Sequence, residues 1–104
     1  MVIEWLKVKV SAELREKFLQ KDAEIWTSML AGYPGFLGKE VWIDPQTPTE
    51  VVLVIRWASR EAWESVPSER LKQVEQQFTQ EFGEQQQIIE AAEYRVPKFP
   101  IMPS

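Results

Sequence analysis

Asp22 stands among Phe18, Ile25, Trp26 and Met29 at spacings that put all five on one side of a helix. An unpaired charge in an apolar face is costly, so Asp22 must either meet a partner or line a polar cavity. Arg15 lies on the same side two turns earlier and is the nearest candidate partner. Lining a cavity, the carboxylate could accept a proton from a phenolic ligand; paired with Arg15, it would be an ion pair at the edge of the core. Arg56 interrupts the apolar run from Val51 to Trp57. It could bind an oxyanion, or pair with a carboxylate such as Glu4, Glu40 or Glu93. Trp5, Trp26, Trp42, Trp57 and Trp63, with Phe18, Phe36 and Tyr94, could wall a site for an aromatic molecule, although large aromatics also fill cores and interfaces. The candidate pocket residues are therefore Asp22, Arg15, Trp26, Phe18 and Arg56, and no catalytic residue is assigned.

The 104 residues include no histidine and no cysteine. Those absences remove Ser-His and Cys-His nucleophile pairs, imidazole bases, the usual zinc and haem ligands, and disulfides. No Gly-rich phosphate loop or metal-ligand spacing is present, so neither a metal nor a cofactor is expected. Sixteen acids against twelve bases give a net charge of −4, which argues against nucleic acid as a partner. Residues 61–93 carry most of the imbalance, as a solvated helical face would. The longest apolar run, Val51–Ile55, is far too short to span a membrane, and the N-terminus lacks the basic and apolar segments of a signal peptide. The expectation is a soluble cytoplasmic protein with no membrane partner.

These residues must be positioned by elements that the hydropathy pattern marks out. Residues 2–10 alternate, with Leu6, Val8 and Val10 on one face and Ile3, Trp5, Lys7 and Lys9 on the other, which predicts a strand. Ser11 to about Ala31 predicts one amphipathic helix, ended by Gly32-Tyr33-Pro34-Gly35. Residues 36–43 and 50–57 predict a hairpin around Asp44-Pro45-Gln46-Thr47-Pro48-Thr49. Ser59 is the predicted cap of a short helix and Ser68 of a second, whose stripe of Leu71, Val74, Phe78 and Phe82 ends at Gly83. Residues 88–96 predict a last strand. The order β-α-β-β-α-β is the ferredoxin-like split βαβ arrangement: an α+β fold with a four-stranded antiparallel sheet and both helices on one face. Residues 1–96 form the single expected domain. Residues 97–104, with three prolines, form a tail expected to lie extended across its own or a partner's surface.

Two helices cover one face of such a sheet, yet Ile3, Trp5, Val52 and Val54 are apolar on the other. Leaving them in water would forfeit roughly 1.5–3 kcal/mol for each large side chain, so the sheet of a second copy is the expected cover. Ile3, Trp5, Val52 and Val54 are the candidate residues of a homodimer interface.

Pro34-Gly35-Phe36 after the first helix and the run Trp57-Ala58-Ser59-Arg60-Glu61-Ala62-Trp63 resemble the antibiotic-biosynthesis-monooxygenase-like dimeric α+β-barrel superfamily. The likeness extends from the first strand to Val96 and is closest to small cyanobacterial members without an assigned activity. The resemblance implies two sheets facing each other across a homodimer, and pockets between helices and sheet that hold aromatic substrates in cofactor-free oxygenases. Haem-degrading relatives use an Asn, a Trp and a His. Lys7 falls near the Asn position and Val66 near the Trp position, and no His exists, which disfavours haem degradation. Three functions remain open: a homodimeric domain binding a small apolar or aromatic molecule, a cofactor-independent monooxygenase acting on an electron-rich aromatic, and a purely structural or interaction dimer.

Overall fold

A computed structural model describes residues 1–97, and the tail expected over 97–104 falls outside them except for Pro97. Strands β1 (Val2–Lys9), β2 (Phe36–Trp42), β3 (Glu50–Trp57) and β4 (Gln87–Arg95) form one antiparallel sheet in the order β2-β3-β1-β4. The β2-β3 loop is held by Asp44, whose carboxylate accepts hydrogen bonds from the Gln46 amide at 2.9 Å and the Thr47 hydroxyl at 3.3 Å. Among the described residues no helix is long and apolar enough to cross a membrane.

The first helical region is not one α-helix. A 3₁₀ turn (Ala12–Leu14) leads into α1 (Arg15–Lys21), then a π-helical segment (Asp22–Thr27), then α2 (Ser28–Leu30). Hydropathy reports which face is apolar but not the hydrogen-bond step, so the wider π turn was invisible to it. Helix α3 (Arg60–Glu64) starts as expected, with Ser59 Oγ accepting the Ala62 amide at 3.1 Å. Helix α4 (Ser68–Phe82) starts one residue earlier than its serine suggested: Ser68 is already helical and extended Pro67 is the N-cap.

Both helical regions pack on the face that carries Val8, Val51, Leu53, Ile55 and Trp57. Phe18, Ile25, Met29, Val74, Phe78 and Phe82 interleave with them. Phe18 meets Phe78 and Phe82 edge-on, each with centroids 5.6 Å apart. The register places Ile3, Trp5 and Lys7 beside Arg56, Val54 and Val52 on the opposite face. There Val54 is 0% exposed within a single copy, while Ile3, Trp5 and Val52 are half-buried. Trp42 and Tyr94, which pair with Val52 and Ile3, are 48% and 55% exposed.

Candidate functional site

On the helix side the layer is not filled. A cavity of about 360 Å³ lies between the sheet residues Leu6, Leu53, Ile55 and Trp57, the first helical region's Trp26 and Leu30, and Trp63, Val66 and Leu71 from the second. Its volume falls in the roughly 300–1,000 Å³ range of small-molecule sites. Four charged groups line it: Glu4 from β1, Asp22 from the π segment, Lys39 from β2 and, from α3, the exposed Arg60. Glu64, Glu75, Gln86 and Ile88 complete the rim.

Asp22 is 2% exposed and is held by Lys39, whose Nζ lies 2.6 Å from Oδ2 and 2.8 Å from Oδ1. The Lys39 side chain is itself 4% exposed. Burial pushes the Asp22 carboxyl above the usual carboxylate range, and the Lys39 ammonium pulls back against it. Glu4 differs. Burial raises its carboxyl too, opposed by the fields of Lys39 and Arg60 and by the nearby Trp57 indole, while Glu93 pushes it further up. Yet the buried Trp57 N–H makes no hydrogen bond of ordinary geometry, and neither does that of Trp26. Arg60 is committed to Glu93 at 3.3 Å and Glu64 at 3.6 Å, and its guanidinium stacks 4.0 Å from the Trp63 ring centroid.

Of the residues singled out from the sequence, Asp22 and Trp26 line this cavity together. Arg15, Phe18 and Arg56 do not. Arg15 turns toward the β2-β3 loop, where Nη1 donates to the Pro48 carbonyl at 3.5 Å, so Lys39 takes its place beside Asp22. Phe18 is a core residue. Arg56 lies on the other face of the sheet, with Nη2 2.6 Å from Glu40 Oε1. Strand parity decides that choice among the three carboxylates: Arg56 pairs across the ladder with Ile3, whereas Glu4 and Glu93 lie opposite each other on the helix side. Lys7 also belongs to the far face, near Glu50 and Glu90, while Val66 lines the cavity.

Glu4, Lys39 and Arg60 were missed as site residues, and for the first two a signal existed. Glu4 is the lone charge in the alternation of Val2, Leu6, Val8 and Val10. Lys39 is the lone charge in that of Leu37, Val41 and Ile43. Among the described residues no group of three or more His, Cys, Asp or Glu gathers as a metal site.

Proteins of known structure share this architecture. A monooxygenase from the gene ActVA-Orf6 of Streptomyces coelicolor, solved with the ligand nanaomycin D, superposes with a TM-score of 0.72 at 16% identity, over 99% of this chain and 92% of that one. SnoaB, described as a cofactor-independent oxygenase from Streptomyces nogalater, gives a TM-score of 0.65 at 14% identity, over 96% and 97% of the two chains. A conserved protein from Methanosarcina mazei Go1 gives 0.65 at 15% identity, over 90% of each. Identities this low establish a shared fold and nothing finer. No curated protein matches the sequence. The antibiotic biosynthesis monooxygenase family model matches residues 1–66, from β1 through α3 to Val66 on the cavity wall, and the chain belongs to that family.

Proposed function

We propose that the cavity between sheet and helices binds a small aromatic or apolar molecule, and that the protein works as a homodimer. The observation that carries the reading is the cavity itself: about 360 Å³ walled by Trp26, Trp57 and Trp63, with a few charged side chains able to orient a guest. A purely structural dimer has no use for unfilled space in its core layer, since voids forfeit packing energy. Calorimetric titration with bicyclic aromatics such as methylnaphthalene tests the reading. Saturable binding to the wild type, abolished by Leu71→Trp at the exposed rim, is expected; no binding by the wild type defeats it.

A second reading, a cofactor-independent monooxygenase acting on an electron-rich aromatic, draws support from the family and from two fold relatives described as a cofactor-independent oxygenase and a monooxygenase with the ligand nanaomycin D. Asp22, Arg15, Trp26, Phe18 and Arg56 do not form a catalytic set between them, so the oxygenase reading leans on the cavity's own groups. Oxygen consumption with bicyclic phenols, lost in the Leu71→Trp variant, supports it. Binding without oxygen uptake leaves the first reading standing alone.

A further inference from the structure

The charges around the cavity do not balance. Glu4, Asp22, Glu64 and Glu75 face Lys39 and Arg60. Lys39 is taken up by Asp22, and Arg60 by Glu64 and Glu93. Glu4 therefore has no cation at ion-pair distance among the described residues, although it is half-buried. Its place is poor from the standpoint of folding. It sits directly across the β1-β4 ladder from another carboxylate, Glu93, and like charges in that register destabilise a sheet. Its strand neighbours on the same face, Val2 and Leu6, belong to or pack against the core. The Trp57 indole, close enough to oppose the rise of the Glu4 carboxyl, belongs to a side chain that is 0% exposed and whose N–H makes no hydrogen bond of ordinary geometry. A half-buried charge that breaks local rules with no ion-pair partner of its own is where function is expected.

We infer that Glu4 is the recognition point of this cavity, and that the preferred guest is an apolar or aromatic body bearing a cationic hydrogen-bond donor, such as an arylalkyl ammonium, with anionic analogues rejected. The inference rests on the reading that the cavity holds a small molecule, and adds its polarity. An ammonium group would neutralise the Glu4 carboxylate, separate it electrically from Glu93, and lie among indole faces that already stack one cation in Arg60. A carboxylate guest would meet Glu4, Glu64 and Glu75 with both lining cations, Lys39 and Arg60, already engaged.

The test compares three probes of one shape by calorimetric titration of the full chain at neutral pH: methylnaphthalene, naphthylmethylamine and naphthoate. The wild type is expected to bind the amine about tenfold or more tighter than methylnaphthalene, and naphthoate more weakly than either. Glu4→Gln should bring the amine to within about twofold of methylnaphthalene. Glu16→Gln, which removes the same charge from an exposed site on α1, should keep the wild-type order. Equal affinity for the three probes, or preference for naphthoate, overturns the inference while the cavity reading survives, as does an unchanged preference in Glu4→Gln. Failure of every probe to bind the wild type overturns both. The wild-type series decides the matter even if Glu4→Gln does not fold.

Discussion

Lys39 Nζ touches both carboxylate oxygens of Asp22 with the two side chains nearly out of water, whereas Glu4 faces the same cavity with no such partner. The contrast separates a structural acid from an available one. Replacing Asp22 by Leu would leave the Lys39 ammonium buried without compensation and should cost about 3–5 kcal/mol in urea unfolding, most of it regained in Asp22→Leu combined with Lys39→Met. Glu4 yields a prediction of opposite sense. Because burial raises its carboxyl in the fold, the folded state holds the proton more tightly than the unfolded chain. Its stabilising contribution is thus full below the ordinary glutamate value of about 4.3 and is lost as pH rises through the raised folded value. Glu4→Gln should flatten that decline and leave the protein about 0.5–2 kcal/mol more stable at neutral pH, measured by unfolding at a series of pH values. At this scale the sequence was half legible. The helical period exposed Asp22 because one element contains both the anomaly and its surroundings. The Lys39 pairing was hidden because it joins a helix to a distant strand, and no period relates residues 22 and 39.

Pro34-Gly35-Phe36 shows how a short motif positions larger pieces. Gly35 has φ +91°, and a Cβ there would lie 2.5 Å from the Ala62 Cβ. Its carbonyl accepts the Ala58 amide at 2.7 Å, and the next residue, Phe36, meets Trp57 edge-on at 5.6 Å. The loop before β2 is thereby clamped to the exit of β3, which sets α3 so that Arg60 and Trp63 reach the cavity. Gly35→Ala should cost about 1–3 kcal/mol in thermal or urea unfolding, and Ala62→Gly added to it should restore only part, since it relieves the clash and not the positive φ. Strands, both helical regions and their order were legible from period and punctuation, because each follows from local spacing and from which face is buried. The π segment was not. Asp22 opens it and Trp26 lies within it, so the irregular turn falls where the helix lines the cavity, while Ile25 of the same turn packs into the core. The extra bond Ser28 Oγ donates to the Ala23 carbonyl, five residues back at 3.1 Å, is a side-chain detail that hydropathy does not record.

The sheet's second face bears on how the whole molecule assembles. In a single copy, Val54 is already 0% exposed, but Trp42 and Tyr94 on the same face stand 48% and 55% exposed, with Trp5, Ile3 and Val52 half-buried between them. An apolar surface of that kind is what a matching copy would cover in the proposed homodimer, and small chains bury a smaller fraction of their surface than large ones. Sedimentation at micromolar concentration is expected to give about twice the 12.2 kDa chain mass. The choice of substitution matters for the test. Val54→Asp would place a charge in a spot that one copy already closes, so it would unfold monomer and dimer alike. Tyr94→Asp is the discriminating change, because the side chain is open to solvent in a single copy and a surface substitution there costs the isolated fold no more than about 0.5 kcal/mol. If the face is shared between copies, the wild-type melting temperature should rise with protein concentration, and Tyr94→Asp should lower the sedimenting mass toward that of one chain and weaken that dependence, with the fold retained by circular dichroism. A wild-type chain that sediments as 12.2 kDa, folded and unaffected by Tyr94→Asp, would mean that the face is tolerated in water and that the cavity belongs to a monomer.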